Sequence, residues 1–432
     1  MEQRTPSRRQ AISRRALLKG AAGASGAAAL GTSFPCPALA QSATINVLTL
    51  GEGIFGQPFV DLAPEFTKAT GIKVNAITMG YNEAIQKQAA AFAAKSSAYD
   101  VVQVDSIYIK GFAQAGHLQP LETLIPNDQL ADYFSDIPAT FKGMWSFDGK
   151  TYGLATIGNC QRFIYNEGHL KAVGLSAPQT WDELLAAAQK VVDPSAKRFG
   201  FVAGTERLAK AFSIWLPIFW ANGGVLLDDK MKPIFADQTG IDALAFLLEL
   251  VKTMPTGGPA YTEADETKAM ATGLGTLDPV AWIPDAIITA DAATKTQLAS
   301  GVSPKGTTTR APVMGGLGLT VSKYAHDAPA AAQYVAWFNS REVQTGKIVQ
   351  HGGQPCRNSA WAANAAFKPW YPAVADSLKV AKVRPQIPEW GQIDGEVGAW
   401  LSRAFVGEIS PKEALEGGQK SVDGIMRDAG YY

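Results

Sequence analysis

From residue 44 onwards, segments with the hydrophobic period of a strand alternate with segments that have the period of a helix. This alternation limits the fold more than any other feature of the sequence. Residues 44–50, TINVLTL, alternate as a strand does, and residues 57–70 place apolar side chains at helical spacing before Gly71. A second strand over 72–78 precedes a long helix, and residues 99–105, YDVVQVD, are typical of a buried strand that ends in an acid. Strands and helices in this alternation predict a parallel sheet covered by helices on both faces.

The rest of the chain favours a second unit of mixed structure. Residues 149–166 are extended with little helical period, and residues 180–183, TWDE, predict a capping box that starts the next helix. Further helices are predicted over about 205–222 and 240–254, and extended structure returns at 311–323 before a mostly helical tail. A chain of 432 residues exceeds what one hydrophobic core usually serves, so two α/β lobes that exchange chain are expected.

The residues ahead of the first predicted strand have the pattern of an export signal. Residues 13–19, SRRALLK, carry the twin-arginine pattern, and a mildly apolar stretch ends in residues 38–40, ALA, which a signal peptidase cuts. This stretch is too rich in glycine for the ~20 apolar residues of a membrane span. We therefore predict a twin-arginine signal peptide over 1–40, cleavage near Ala40 and a periplasmic mature protein.

Charge and the distribution of possible metal ligands exclude several classes of function. The leader holds six basic residues and one acidic residue, so residues 41–432 carry 33 basic and 38 acidic side chains, a net charge of −5. This balance gives no reason to expect nucleic acid or an anionic membrane as a partner. The four histidines are far apart and no CxxC or HExxH motif occurs, so no metal or other cofactor is expected. Cys160 and Cys356 remain after cleavage, and the sequence leaves open whether they pair.

No segment has the residues of a catalytic site, whereas aromatic residues recur near predicted turns and strand ends. The chain has no G-x-S-x-G motif, and its glycine-rich pieces lack the order of a nucleotide-binding loop. Aromatic faces beside an open cleft suit the C–H groups of a sugar ring. Trp181, Trp215 and Trp337, in contrast, belong to helix starts or apolar stripes and are expected to be structural. These residues do not exclude an enzyme, since catalytic groups can converge from distant segments, but no feature requires one, and a binding protein without enzymatic activity is the favoured prediction.

Three residues allow two interpretations each. Asp105 ends a buried strand, where open α/β sheets bind their ligands, but it could equally cap the segment that follows. Arg357 could bind vicinal hydroxyls or a carboxylate, or it could only brace a loop through carbonyls. Trp390 stands at an irregular junction that opens a helix, where contact with a ligand is favoured over a core position.

Seven segments occur in a fixed order through nearly the whole mature chain: YDVVQVDSIYIKGFAQAGHLQPLE (99–122), GKTYGLA (149–155), FIYNEGHL with TWDEL (163–184), ANGG (221–224), VMGGLGLTVSK (313–323), GGQPCRNS (352–359) and RPQIPEW (384–390). Together they resemble the family 1 extracellular solute-binding proteins, the maltose-binding-protein-like group that feeds carbohydrate importers of the ABC type. The resemblance implies an α/β, two-lobed periplasmic binding protein fold of type II, in which each lobe is a mixed or parallel sheet flanked by helices. It implies an N-terminal lobe of residues 42–155 and 312–340, and a C-terminal lobe of residues 156–311 and 341–432.

The resemblance also implies a set of ligand-binding residues between the lobes: Glu52, Gly53, Tyr81, Asp105, Ser106, Asn159, Gln161, Asp278, Trp282, Gly315, Gly316, Arg357 and Trp390. Trp220, one of the aromatic residues near predicted turns, is a further predicted ligand contact. One region departs from the family pattern. In residues 268–285 the tryptophan stands later than is usual, and Asp278-Pro279 intervenes.

The function that follows is capture of a small carbohydrate (a sugar, an oligosaccharide or a polyol) between two hinged lobes. The protein is expected to be a monomer that delivers this ligand to the permease of an ABC transporter with its cytoplasmic ATPase. Two alternatives stay open: a binding protein for an organic acid, a polyamine or a peptide, and a secreted enzyme acting on polysaccharide. The enzyme would need two paired carboxylates across the cleft.

Overall fold

Two separate sheets organise the chain in the computed structural model, which describes residues 43–51, 55–206, 209–282, 287, 290–351, 353–364 and 370–432. In chain order the strands are β1 (Thr44–Leu50), β2 (Lys73–Met79), β3 (Val101–Asp105), β4 (Ser146–Phe147), β5 (Lys150–Thr151), β6 (Gly153–Ile157), β7 (Arg162–Asn166), β8 (Phe199–Phe201), β9 (Gly275–Ala281), β10 (Leu298–Gly301), β11 (Val313–Met314), β12 (Leu317–Val321) and β13 (Lys382–Val383). The predicted signal peptide, Glu52 and Gly53 lie outside the described residues.

Helices cover both sheets and form most of the C-terminal part. They are α1 (Gln57–Thr70), α2 (Tyr81–Ala93), α3 (Ile109–Gln114), α4 (Asn127–Ser135), α5 (Ala139–Met144), α6 (Glu167–Ala172), α7 (Trp181–Val191), α8 (Ala209–Ala221), α9 (Gln238–Val251), α10 (Glu263–Ala271), α11 (Ala292–Lys295), α12 (Ala328–Phe338), α13 (Ile348–Gln350), α14 (Asn358–Asn364), α15 (Tyr371–Val380), α16 (Trp390–Phe405) and α17 (Pro411–Asp428). The helix and strand predictions for 44–105 are confirmed, with ends that agree to within three residues.

The first sheet has the order β2-β1-β3-β12-β6. Strands β2, β1 and β3 are parallel, as their alternation with helices predicts, while β12 pairs antiparallel with both β3 and β6. Every residue of β3 is buried, which fits a central strand covered on both faces. The first sheet therefore joins an N-terminal α/β segment to a strand from more than 200 residues further along the chain.

The second sheet has the order β10-β7-β9-β8 and is mixed, because β8 and β9 are parallel while β7 is antiparallel to β9 and β10. The chain passes from the first sheet to the second after β6 and returns at β12. The short strand β11, just before that return, pairs with β13 and so ties it to the C-terminal segment.

Local signals set several helix ends where the sequence predicts them. Gly71 ends α1 with φ +79°, a backbone conformation that glycine adopts without strain. Thr180 accepts a hydrogen bond from the backbone N–H of Glu183, and the Glu183 carboxylate accepts one from the backbone of Thr180, so the predicted capping box is confirmed. Trp181 and Trp215 are buried in the core, as expected, whereas Trp337 is half-buried.

Three further observations apply to the described part of the chain. It contains no helix long and apolar enough to cross a bilayer. It contains no cluster of three or more histidine, cysteine or acidic side chains suited to a metal ion. Cys160 and Cys356 are both free and buried thiols.

Candidate functional site

A polar pocket lies between the elements of the two large sheets. Its walls come from strand ends and helix starts on both sides, and its lining residues are Phe55, Tyr81, Asp105, Asn159, Lys210, Ser213, Glu263, Trp282, Gly315, Gly316, Leu317 and Arg384. About 40 Å³ is enclosed, and the whole gap with its open mouth measures about 470 Å³. The enclosed space holds about three water molecules, so the walls must separate before a sugar-sized ligand can enter.

One wall is organised around Asp105, which ends the buried strand β3. The Tyr81 hydroxyl donates a 2.7 Å hydrogen bond to Asp105 Oδ2, and Arg384 Nη2 lies 3.6 Å from Oδ1. Burial, followed by the charge of Asp105, raises the pKa of Tyr81 well above its usual value, so this hydroxyl remains a donor. Asp105 Oδ1 also accepts from the backbone N–H of Ile107, so the residue both caps the next segment and faces the pocket.

The opposite wall carries a second ion pair. Lys210, in the otherwise apolar helix α8, places its ammonium 2.6 Å from Glu263 Oε2 at the start of α10. Burial alone would lower the pKa of Lys210, but the charges of Glu263 and Glu266 outweigh it and raise this pKa. Lys210 is therefore a cation within the pocket. The charges of the four charged lining residues sum to zero: Asp105, Lys210, Glu263 and Arg384.

The floor of the pocket is built by the return from β11 to β12. A side chain on Gly315 would place its Cβ 2.6 Å from Asn159 Oδ1 and 2.6 Å from the Trp282 ring, so only glycine allows this approach. Arg384 lies over the Trp282 ring, with 5.8 Å between the guanidinium carbon and the ring centroid. Asn159 Oδ1, Glu263 Oε1 and Arg384 Nε are buried and have no hydrogen-bond partner among the described residues. Unpaired acceptors and a donor at one site favour a ligand with hydrogen-bonding groups.

Six of the residues implied by the family resemblance meet at this pocket: Tyr81, Asp105, Asn159, Trp282, Gly315 and Gly316. Ser106 lies beside them, since its hydroxyl donates to Asp105 Oδ1 and its backbone N–H donates to Gly316. Gln161 is fully buried and joins two segments instead, because its side chain donates to Ser213 O and accepts from the Val313 N–H.

Trp220 and Trp390 are buried and are not among the residues that line the pocket. Trp390 is 1 % exposed, and its ring stacks on Phe212 with 5.7 Å between centroids. Its indole Nε1–H has no partner among the described residues. Trp220 lies within the apolar helix α8 and is 5 % exposed. For both residues, contact with a ligand stays a prediction.

Asp278 forms a buried carboxyl pair with Glu266 and does not line the pocket. The two side chains are hydrogen-bonded to each other, and Glu266 also accepts from the backbone N–H of Gly204. Burial, followed by the charge of Glu266, raises the pKa of Asp278 well above its usual value, and burial raises the pKa of Glu266 to about 7. At neutral pH the pair therefore retains a proton, and its role in binding stays a prediction.

Arg357 is not among the residues that line the pocket and belongs to an ion-pair network beside α4 and the end of α12. Its guanidinium lies 2.9 Å from Asp132 Oδ2 and 3.4 Å from Asp136 Oδ2, and its Nε donates to Asn339 O at 3.0 Å. Arg341 binds the same two carboxylates. Of its two interpretations, bracing of the local backbone is the one that these contacts support, and the ligand role stays untested.

Sequence reasoning missed half of the lining, above all Lys210, Glu263 and the role of Arg384. A single lysine within the apolar run AKAFSIWLPIFWA was the available signal for the first. Glu263 stands in the first turn of a helix, where acids are common for reasons of capping and dipole, so its sequence position gave no signal.

Two sheets with a polar pocket between their strand ends define the class of type II periplasmic binding proteins. The family described as bacterial extracellular solute-binding protein matches residues 52–345, and the chain belongs to that family. It is a protein that binds a small solute outside the cytoplasm, and not an enzyme.

Individual relatives agree with this assignment. A probable amino-acid ABC transporter periplasmic-binding protein of Sinorhizobium fredii is 28% identical over 382 residues, 85% of this chain and 86% of the relative. An ABC transporter solute-binding protein of Agrobacterium radiobacter, solved with ribitol, is 23% identical with a TM-score of 0.81, over 89% of this chain and 98% of that one. Maltose-bound MalE3 of T. maritima is 20% identical with a TM-score of 0.81, and the match covers 89% of this chain and 100% of that one.

Proposed function

We propose that this protein captures a small uncharged carbohydrate or polyol and delivers it to the permease of an ABC importer. The observation that carries the proposal is the balanced charge of the pocket, where two cations and two anions form two ion pairs. A ligand with net charge would leave one of these groups uncompensated in a buried site, which is costly. The unpaired Asn159 Oδ1, Glu263 Oε1 and Arg384 Nε suit hydroxyl groups, which donate and accept at once.

The fold neighbours give independent support for this ligand class. The Agrobacterium protein was solved with ribitol and the T. maritima protein with maltose, both of which are uncharged and rich in hydroxyls. An uncharged polyhydroxy ligand also explains why this pocket has charged side chains but no net charge, because these side chains can form hydrogen bonds with hydroxyl groups. Organic acids and polyamines are disfavoured by the same balance.

Capture by hinge closure follows from the narrow pocket and the course of the chain. We assign residues 42–155 and 312–340 to an N-terminal lobe, and residues 156–311 and 341–432 to a C-terminal lobe, with the pocket between them. In the open state the ligand would reach one wall, and closure would bring the second wall into contact. The protein is proposed to act as a monomer, which light scattering coupled to size-exclusion chromatography tests.

Export by the twin-arginine route, with cleavage near Ala40, completes the proposal. Arg14 and Arg15 are the evidence for this route, because paired arginines ahead of a mildly apolar stretch are its recognition pattern. Export in a folded state suits a chain whose sheets pair strands distant in sequence. Replacing both arginines by lysine should leave the precursor in the cytoplasm. Normal export of the double variant would contradict the route.

A thermal-shift screen followed by calorimetry tests the ligand class. Sugars, alditols, uronic acids, polyamines and amino acids are compared, because a ligand bound by the folded state alone raises the unfolding temperature. Uncharged polyhydroxy compounds should stabilise the protein, with dissociation constants of about 1 μM. Stabilisation by a charged class alone would reject the proposal.

Amino acids are the second candidate, favoured by the description of the Sinorhizobium relative. A zwitterion also has zero net charge, and Arg384 and Lys210 could face its carboxylate. Both cations already bind a carboxylate of the protein, however, so a zwitterion would have to displace Asp105 or Glu263 from its partner. The amino-acid arm of the screen decides between the two.

A further inference from the structure

The aromatic residues of the pocket are arranged in a way that narrows the ligand class further. Lys210 Nζ lies 5.6 Å from the centroid of the Tyr81 ring, and Arg384 lies over the Trp282 ring. Each ring therefore has a face covered by a cation of the protein. Phe55 lies against Gly51 and is 7 % exposed, so it offers little free face.

An aromatic face that is free can stack on the C–H groups of a pyranose, but one face of the Tyr81 ring and one face of the Trp282 ring are taken by cations and do not offer this contact. Trp390 does not supply such a face either, since its ring is stacked on Phe212 and 1 % exposed. The polar atoms, by contrast, still lack hydrogen-bond partners among the described residues. Unpaired acceptors on Asn159 and Glu263 and an unpaired donor on Arg384 come from three separate parts of the pocket lining.

Resting on the function proposed above, we propose that the ligand is an open-chain polyol of monosaccharide length, an alditol. An alditol carries a hydroxyl on every carbon, and each hydroxyl both donates and accepts. It can bend so that successive hydroxyls reach Asn159, Glu263 and Arg384, whereas a closed ring holds its hydroxyls in one fixed arrangement. Lys210, Glu263 and Arg384 are then the residues that select it.

The dimensions of the gap agree with a short ligand. The whole space, mouth included, is about 470 Å³. Asn82, next to Tyr81, donates a 3.2 Å hydrogen bond to Glu206 Oε2 and so links the two walls near Lys210. An oligosaccharide that extended past this link would require it to stay broken in the bound state, whereas a ligand of monosaccharide length would let it form again on closure.

Matched pairs of ligands test the proposal by calorimetry on the processed protein. Mannitol is compared with methyl α-mannopyranoside and sorbitol with methyl α-glucopyranoside, because the methyl glycosides cannot open. Ribitol and maltose complete the set. The alditols should bind at least about tenfold more tightly than their locked-ring partners, since charged hydrogen bonds lost in the ring form have this effect.

Two variants show whether the named residues make the selection. Glu263→Gln and Lys210→Gln should weaken alditol binding about tenfold or more and should weaken methyl glycoside binding less. The ratio of the two affinities, which measures the preference for alditols, should therefore become smaller. Glu249→Gln, which breaks the exposed pair of Glu249 with Lys252, is the matched control and should change neither affinity. A purely structural role for Glu263 or Lys210 would lower both affinities in parallel and would refute their part in selection.

The outcomes separate this inference from the function on which it rests. Equal or tighter binding of a methyl glycoside or of maltose overturns the alditol proposal and leaves carbohydrate capture standing. Binding of an amino acid or an organic acid, with no response to any polyhydroxy compound, overturns both.

Discussion

Asn82 and Glu206 are 124 residues apart in the chain and are joined by a 3.2 Å hydrogen bond, Asn82 being next to the pocket residue Tyr81 in the chain and Glu206 interacting with the charge of Lys210. Asn82 belongs to α2, beside the first sheet, and Glu206 follows β8 of the second. The bond therefore holds closed the two walls that a ligand must part. Lys210, near the Tyr81 ring, adds a second contact between the same walls.

Asn82→Ala should shift the ligand-free protein towards its open form. Loss of a hydrogen bond to a carboxylate removes about 1 kcal/mol from the closed state, which weakens ligand binding about fivefold if the ligand binds that state. Small-angle X-ray scattering should show a larger radius of gyration without ligand. Asn75→Ala, which removes an exposed hydrogen bond between Asn75 and Asn46, is the control and should leave the profile unchanged.

Arg357→Met should destabilise the fold without altering ligand affinity. The side chain is 2 % exposed and neutralises Asp132 and Asp136, so its removal costs about 3 kcal/mol. Denaturant unfolding measures the loss and calorimetry the affinity. Arg341→Met is the comparison, because Arg341 binds the same carboxylates from a half-exposed position and should cost less than about 1 kcal/mol. A large loss of affinity at normal stability would place Arg357 in ligand binding after all.

The regular elements could be predicted because their signals are local. The period of residues 57–70, the capping box at Thr180 and the buried strand ending at Asp105 each depend on neighbours within a few positions. Asp105 could be placed at the site because the carboxyl end of a parallel strand is a known position for ligands.

The second wall could not be predicted, because its residues acquire their role only through distant contacts. Lys210 pairs with a carboxylate 53 positions away, at Glu263. Arg357 meets Asp132 across 225 positions, so its loop sequence is compatible with a ligand contact or an internal ion pair. No local pattern distinguishes the two outcomes.

The stability of the protein should fall as the pH rises through the range in which Glu266 and Asp278 titrate. Their folded-state pKa values are raised, that of Glu266 to about 7, mainly by burial. The folded state therefore holds protons that the unfolded state has released, and this stabilisation is complete below the ordinary carboxyl pKa and is lost through and above neutrality.

Asp278→Asn should flatten that dependence. The amide NH2 group donates a hydrogen bond to Glu266 without having to bind a proton first, as a carboxylate must. The amide oxygen can still accept from the Val280 N–H. Between about pH 5 and about pH 8 the free energy of unfolding should fall on the order of 2 kcal/mol less than in the parent protein. Parallel pH profiles for the parent and the variant would show that the pair does not titrate in this range.

Cys160 and Cys356 should remain thiols in the exported protein. Each is fully buried, and burial raises the pKa of each to about 12, which leaves almost no reactive thiolate. A thiol reagent should label neither residue in the folded protein and both after unfolding without reductant. A mass lower by two hydrogens in the intact processed chain would reveal a disulfide instead.

Gly315→Ala should damage the binding site while leaving most of the fold intact. The added Cβ would lie 2.6 Å from both the Trp282 ring and Asn159 Oδ1, so one of these side chains must move. Since both line the pocket and the clash is local, ligand affinity should fall at least about tenfold, while stability should change by about 1–3 kcal/mol. Gly143→Ala is the control, because a Cβ there meets no atom within 4 Å. Calorimetry measures the effect of each variant on ligand affinity, and thermal unfolding measures its effect on stability. Unchanged affinity in Gly315→Ala would show that the ligand does not contact the part of the pocket formed by Gly315, Asn159 and Trp282.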